Sequence, residues 1–388
     1  MKKNIFKTLY LIILANVICV SVCMAKNRSG KEVEAPISDE EKINKSKATV
    51  YAGTYSRYSP IDTEKPGFIQ EEYDKVNNYN VDFETLELRI KYFSPSYNNS
   101  KTDVINNNIM NSGMRGKDTT NITSDTLDSN NGTLIVKMES LLKIIKSEVL
   151  NCLAARDKYL RLKEQNELYK RLCALEEQSF KEGLSTALSY NNANLQAENA
   201  RQQLLAAETE MNRLKSSVAK YLGYKLNDAD KLTFVEPEID IAKIASINYD
   251  EDLQKMLMSN SNYIDAITKG DEGSNGSNKL PGSTGEDIYK RKMRMAKDNV
   301  EISFEKEFAN LINKCRLYVS NASYLSKIAN LREADNNSKY QSKLINETEY
   351  IKNNINVLKD RADVASSKYE LLKAYNEYYY DTLLYNME

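Results

Sequence analysis

The sequence predicts an all-α protein built from two tandem long antiparallel coiled-coil helical hairpins. Gly and Pro are rare, with 13 and 6 in 388 residues, so tight turns are few and the helices should be long. Apolar residues recur every three or four positions over long stretches that lack both residue types. The same order of segments occurs twice: a short helix, a polar stretch, and two long helices separated by a break. This internal repeat is the main organisational signal of the chain.

Residues 1–25 are typical of a secretory signal peptide, which predicts an exported protein. Lysines at the start precede an apolar run, Leu9–Val22, and Ala25 supplies a small residue before a cleavage site. Two alternatives stay open. An uncleaved anchor is one, although the run is shorter than the ~20 residues that span a bilayer. Lipidation of Cys23 is the other, although valine before it is larger than the residue that such a site prefers.

Residues 26–80 form a polar N-terminal segment, in which Thr49–Tyr55 is a candidate strand because β-forming residues alternate there. The first hairpin repeat is predicted over 81–235. It opens with a short amphipathic helix, Val81–Phe93, which Pro95 should end because the residue before a proline disfavours helix. Ser96–Gly132 is rich in Asn, Ser, Thr, Asp and Gly and is expected to be a long loop or disordered.

The long helices of the first repeat are predicted from Leu134 to Glu182, about 70 Å if continuous, and from Ser185 or Thr186 to about Leu222. Gly223 stands where a C-terminal helix cap places glycine. Because the break at Lys181–Ser185 is short, the two helices should be antiparallel neighbours. Their apolar seams are Leu141, Ile145, Val149, Cys152, Leu168, Leu172 and Leu175, then Ala200, Leu204, Ala207, Met211, Leu214, Val218 and Tyr221.

The second repeat is predicted over 236–388. It has a short helix at Asp252–Ile264, a linker at Gly270–Gly285, and a polar break at Asp335–Ser342 between two long helices. The seams of these helices are Val300, Phe304, Phe308, Leu311, Cys315, Tyr318, Ala322 and Leu325, then Ile351, Ile355, Leu358, Ala362, Ala365, Tyr369 and Leu372. Two helices alone cannot cover such long apolar edges, so hairpins should pack laterally within the chain and between chains.

Composition argues against an enzyme and against nucleic-acid binding. The chain has no His, which removes the commonest general base and metal ligand. No phosphate-binding glycine loop occurs, so no cofactor or metal is predicted. With 54 basic and 55 acidic residues, the chain offers no excess charge to a nucleic acid. Cys152, Cys173 and Cys315 fall in helical patterns and are expected to be seam residues.

Four segments carry motifs that occur together in one known protein family. They are Val81–Leu88 followed by Ser94-Pro95, Phe180–Ser185, Leu195–Ala200 and Lys220–Gly223. In this order they resemble the opening helix of a repeat, the hairpin tip and the segments that follow the tip in the TolC-type outer membrane efflux family, although the family usually has Asn-Pro after the opening helix. The resemblance covers roughly residues 80 to 385.

The resemblance implies a homotrimer in the outer membrane or envelope, without chemistry of its own. Three chains would close a helical tunnel that receives cargo from an inner-membrane pump through a periplasmic adaptor. The adaptor would dock at the tips of the hairpins, where a small residue lets another backbone approach closely. The predicted partner-binding residues are Lys181, Gly183, Leu184, Ser185, Ser338 and Tyr340.

Two departures from the family pattern leave an alternative open. The second tip, Ser338–Ser342, has no glycine, which weakens the case for docking there. The positions where the family inserts membrane β-strands, Ser96–Gly132 and Gly270–Gly285, lack the alternating pattern of ~9–11 residues that a spanning strand needs. The sequence therefore predicts that these strands are reduced or missing. The alternative function is a helical spacer or surface scaffold that keeps the fold without a channel.

Overall fold

A computed structural model describes residues 69–114, 124–260, 262–268 and 284–383. The predicted signal peptide, the candidate strand Thr49–Tyr55 and nearly all of the linker Gly270–Gly285 lie outside the described residues. The described part is all-α except for two strands of two residues each, which confirms the predicted fold class. None of its helices is both long and apolar enough to cross a membrane.

Within the described residues, the first half of the chain contains five α-helices and one strand. In chain order they are α1 (Gln70–Val76), β1 (Asn80–Val81), a 3₁₀ turn (Phe83–Thr85), α2 (Leu86–Phe93), α3 (Pro95–Met114), α4 (Ser124–Lys181) and α5 (Ala187–Tyr221).

The second half repeats the pattern of short and long helices. It contains a 3₁₀ turn (Leu226–Lys231), β2 (Thr233–Phe234), α6 (Ile241–Ala245), α7 (Tyr249–Ser259), α8 (262–268), α9 (Thr284–Ser320), α10 (Ser326–Gln341) and α11 (Glu347–Tyr378). A π-helical turn, Asn321–Leu325, joins α9 to α10, and a second one, Tyr379–Leu383, follows α11. Strands β1 and β2 pair in parallel, with Val81 opposite Phe234.

The prediction of a loop or disorder over Ser96–Gly132 was wrong where the structure describes it. Helix α3 occupies 95–114 and α4 already begins at Ser124. Pro95 does end α2, but it also opens α3, because the first position of a helix needs no backbone N–H donor and suits the fixed φ of proline. Asn, Ser and Thr disfavour helix only mildly, so composition alone was a weak guide.

The predicted short helix at Asp252–Ile264 is also shifted. Helix α7 begins at Tyr249 because the Asn248 side chain caps it, accepting a hydrogen bond of 3.2 Å from the backbone N–H of Asp250. It ends at Ser259, since Asn260 is in an extended conformation (ψ 113°). Residues 262–268 then form a separate helix.

The long helices pack side by side in the order α5, α4, α11, and then α9 with α10. Helices α4 and α11 are antiparallel, since Asp157 contacts Tyr369 and Arg171 contacts Glu347, so both hairpin turns lie at the same end of the molecule. We call this end the tip end, and we call the opposite end, where the short helices and strands lie, the root end.

The predicted seams account for most of the buried apolar residues of the long helices. Two large clusters lie toward the root end. One is centred on Ile145 and Val218, and the other on Phe304 and Leu371. A third, much smaller cluster lies toward the tip end and consists of Leu172, Ile351 and Ile355. Cys152 and Cys315 are buried in the two large clusters, as predicted. Cys173 is only half-buried.

Arg89 holds the segments of the first repeat together at the root end through hydrogen bonds. Its side chain is 1% exposed, and it donates to the backbone carbonyls of Val76, Asn78 and Asn80 at 3.0, 3.0 and 2.6 Å. It also donates to the Tyr224 hydroxyl at 2.9 Å. Burial lowers the pKa of the guanidinium, and the carbonyl cage supplies the hydrogen bonds that a buried cation requires.

Gly223 brings the end of α5 against the end of α2. Its φ is +70°, and a Cβ at this position would lie 2.1 Å from the carbonyl oxygen of Phe93. The Gly223 N–H donates to Lys220 O and the Tyr224 N–H to Ala219 O, which is the Schellman arrangement of hydrogen bonds. The predicted cap glycine is therefore confirmed, and the close approach of Phe93 adds a second reason for it.

Candidate docking sites at the hairpin tips and along the edge helices

The first hairpin turn consists of Glu182 to Thr186, between α4 and α5. Gly183 has φ +74°, and its N–H donates to Phe180 O at 3.0 Å. The Leu184 N–H donates to Ser179 O at 2.7 Å, which completes a Schellman turn. The Thr186 hydroxyl accepts from the Ser189 N–H and caps α5.

The second hairpin turn has the same geometry without a glycine. Lys343 takes the left-handed position with φ +57°, and its N–H donates to Tyr340 O at 3.0 Å. The Leu344 N–H donates to Lys339 O at 2.8 Å, and Asn346 caps α11 through the Glu349 N–H. The left-handed residue, the two Schellman hydrogen bonds and the cap of the next helix therefore recur 160 positions later, counted from Gly183 to Lys343.

A stacked aromatic pair joins the two helices that flank each turn. Phe180 stacks on Tyr190 with ring centroids 5.9 Å apart and 8° between the ring planes. At the second tip, Tyr340 stacks on Tyr350 at 4.4 Å and 21°. Each pair joins the last turn of one helix to the first turn of the next, so the connecting backbone is held at both ends.

A leucine projects from each turn into solvent. Leu184 is 77% exposed and Leu344 is 75% exposed. Both hold the same position in the Schellman turn, directly after the left-handed residue. Because the turn is already rigid, a partner could bind either leucine side chain without the entropic cost of ordering the backbone.

The structure brings together the predicted site residues of the first tip but not those of the second. Lys181, Gly183, Leu184 and Ser185 lie at the first turn as expected. The break predicted at Asp335–Ser342 was wrong, because α10 continues to Gln341.

As a result, Ser338 and Tyr340 lie in the last turn of α10, before the connection. Ser338 contributes only its backbone carbonyl to the Ser342 N–H, whereas Tyr340 forms the aromatic stack. Sequence reasoning missed Lys343 and Leu344. A usable signal was the shared spacing of an aromatic residue four positions before the leucine and a tyrosine six positions after it.

The two ends of the row are formed by α5 and by α9 with α10, and each end has two apolar faces. On α5, Ala193, Ala200 and Ala207 face α4, and Leu195 and Leu205 lie two positions from this seam and are exposed. Two residues correspond to about 200° around a helix, so these leucines point away from the chain's own hairpin. With Leu188 they form what we call the α5 stripe.

The other end of the row shows the same arrangement over a greater length. Seam residues Val300, Cys315 and Ala329 are buried, and Ile302, Leu317 and Leu331, each two positions later, are exposed. Tyr324, in the π-helical turn, is exposed between them. We call Ile302, Leu317, Tyr324 and Leu331 the α9–α10 stripe.

No protein-family model matches the chain, and no curated protein sequence does. Solved structures similar to this one include a membrane protein from Pseudomonas aeruginosa, with a TM-score of 0.45, 10% identity, and coverage of 66% of this chain and 69% of that one. The outer membrane protein VceC of Vibrio cholerae has a TM-score of 0.43 at 11% identity, covering 66% and 73%.

A structure of CusC described with transmembrane channel formation has a TM-score of 0.45 at 11% identity, covering 82% of this chain and 94% of that one. The chain is therefore similar in structure to outer membrane channel proteins, the class that its sequence motifs resemble.

Proposed function

We propose that the chain is a subunit of an export duct in the cell envelope, a passive wall element coupled to a pump through an adaptor. The observation that carries this proposal is the pair of exposed stripes on α5 and on α9–α10. They lie on the two edge helices of one row, and each points away from the chain that bears it.

Two different edges favour head-to-tail association of copies. When the α5 stripe of one copy packs against the α9–α10 stripe of the next, an open row of copies leaves one stripe free at each of its ends. Only closure into a ring covers every stripe. The resemblance to TolC-type proteins favours a ring of three, in the outer membrane or elsewhere in the envelope.

The hairpin tips supply the second part of the proposal. Both tips lie at one end, so a ring of copies would present all its exposed leucines on a single rim. A periplasmic adaptor with apolar pockets would dock there. Equal turn geometry at Gly183 and Lys343 supports docking at both tips, despite the absence of a glycine from the second.

The oligomeric state of the full chain in a mild detergent tests ring assembly. We expect a trimer by light scattering coupled to size exclusion. Leu195→Glu and Leu331→Glu each place a charge in a stripe and should shift the protein to smaller species. Gln196→Glu and Asn330→Glu are matched controls, because they add the same charge to exposed positions about 100° around the helix from Leu195 and Leu331. A monomeric wild-type protein would favour the spacer or scaffold function instead.

Docking and transport need separate tests. Leu184→Asp and Leu344→Asp should each reduce cross-linking to an adaptor while leaving the trimer intact, and the double variant should reduce it further. Undiminished cross-linking in the double variant would exclude the tips as the docking site. Deletion of the gene should lower export of drugs or peptides, and an unchanged export profile would count against the duct.

A further inference from the structure

A cavity of about 1010 Å³ at the root end takes no part in the proposed assembly. It lies between α2, the N-terminal half of α4, the segment that leads into α6, and the end of α11. Its walls therefore come from both repeats. Phe83 and Glu87 line it from the first repeat, and Tyr375 and Tyr380 line it from the second.

The aromatic walls of the cavity already hold positive charges. The Lys146 ammonium lies 5.2 Å from the ring centroid of Tyr380 and 6.0 Å from that of Phe83. The Lys243 ammonium lies 5.7 Å from the ring centroid of Tyr375. These distances fall within the ~6 Å range of cation–π attraction. The ring faces are thus oriented so that a cation in the cavity can contact them.

Three carboxylates line the same space, namely Glu87, Glu139 and Glu238. Among the described residues, no ion pair joins any of them to a basic side chain. Burial raises the pKa of Glu139, which means that its ionised form lacks stabilising neighbours. A cation placed beside this carboxylate would provide that stabilisation. The cavity holds more carboxylates than ammonium groups, so its charge balance favours a positive ligand.

The remaining lining is largely apolar. Leu134, Met138 and Leu142 contribute one wall from successive turns of α4, and Leu372 contributes from α11. A small inorganic cation would leave these side chains against water. A ligand with a bulky apolar body and one positive charge would instead bury them and also meet the rings and carboxylates.

We propose that this cavity binds an organic monocation with an apolar body, of the quaternary ammonium or phosphonium class. Such a ligand combines cation–π contact with Phe83 and Tyr380, charge pairing with Glu139, and burial against the α4 leucines. An apolar anion is disfavoured, because the two lysines that it would need already lie over rings and share the cavity with three carboxylates. Burial lowers the pKa of Lys146 while the charge of Glu87 raises it, so this lysine is itself a poorly solvated cation that a ligand can displace.

Two ions of the same shape and opposite charge test the proposal directly. Isothermal titration calorimetry on the full chain in a non-ionic detergent, corrected for the detergent alone, would compare tetraphenylphosphonium with tetraphenylborate. We expect the phosphonium to bind at least tenfold more tightly. Equal affinity for the two ions, tighter binding of the borate, or binding of neither at millimolar concentration would overturn the proposal.

Single substitutions locate the binding and separate charge from folding. Glu139→Gln should weaken phosphonium binding about tenfold, the loss of roughly 1.4 kcal/mol for one desolvated charge contact. Lys146→Met should strengthen it several-fold, because a competing cation is removed. Glu182→Gln, at the tip end, is the control and should change nothing. Loss of binding in a folded Lys146→Met protein, or unchanged binding in Glu139→Gln, would contradict the assignment. Neither result depends on ring assembly, so the duct proposal is tested separately.

Discussion

Replacing Gly223 by alanine should lower the free energy of unfolding by about 3 kcal/mol. The left-handed φ of +70° contributes about 1 kcal/mol of this, because a Cβ disfavours that conformation. The larger part comes from the carbonyl oxygen of Phe93, which would lie 2.1 Å from the new Cβ. Contact at that distance requires α2 and the end of α5 to separate, and overpacking of this kind costs about 1–3 kcal/mol.

Gly183→Ala is the matched control for this prediction. Gly183 has nearly the same φ, +74°, but a Cβ there would have no heavy atom within 4 Å. The free energy of unfolding of Gly183→Ala should therefore fall only by the contribution of the left-handed φ, about 1 kcal/mol. The difference between the two variants isolates the steric contact with Phe93.

Urea unfolding followed by far-ultraviolet circular dichroism would measure both losses. The midpoint should fall clearly further for Gly223→Ala than for Gly183→Ala, with similar slopes. Equal losses for the two variants would refute the reasoning, because they would show that φ alone accounts for the need for glycine at position 223.

Three further predictions concern the second tip, the buried arginine and the cysteines. Lys343→Gly should raise the unfolding free energy by up to about 1 kcal/mol, since glycine adopts the left-handed conformation without strain; a destabilised variant in thermal unfolding would contradict this. Arg89→Met should cost about 3 kcal/mol or more by the same assay, because buried carbonyls lose their donor, and a loss below 1 kcal/mol would argue against the carbonyl cage. Iodoacetamide at pH 8 should label Cys173 well before Cys152 and Cys315, since burial raises the pKa of the latter two thiols to about 12 and about 11. Labelling of all three at one rate in the native protein, read by mass spectrometry, would mean that the seams are open.

The periodicity of apolar residues was enough to predict the long helices and their buried faces. Ile145, Val218 and Leu311 were assigned to seams by spacing alone and are fully buried. This works because a seam is a local property of one helix, set by 3.6 residues per turn. The pairing of β1 with β2 joins residues more than 150 positions apart and has no comparable local signal.

Polar composition was a poorer guide, and it misplaced the second tip. Asn336 suggested a break, but it is 3% exposed inside the helical hairpin. Its side-chain amide donates to Tyr350 O at 3.1 Å and to Asn354 Oδ1 at 2.7 Å. From sequence alone, an asparagine of this kind is interpreted as a loop residue, because its hydrogen-bond partners on the facing helix are not known. Lys343 was missed for a related reason, because left-handed turns are recognised in sequence by glycine or asparagine.

The candidate cavity could not be predicted at all. Lys146 and Tyr380 stand more than 230 positions apart, and each fits the pattern of an ordinary helix residue. Only the antiparallel contact of α4 with α11 places the lysine over the ring. The boundary at 235/236 between the two repeats stays a prediction.

The uneven distribution of buried side chains along the rods has a mechanical consequence. The two large apolar clusters lie toward the root, whereas the far end depends on Leu172, Ile351 and Ile355 with stacked rings beyond them. The free energy of local unfolding is smallest where few apolar contacts are lost, so flexibility should increase from the root end to the tip end. The tip end can therefore bend toward another protein, while the root end keeps its shape.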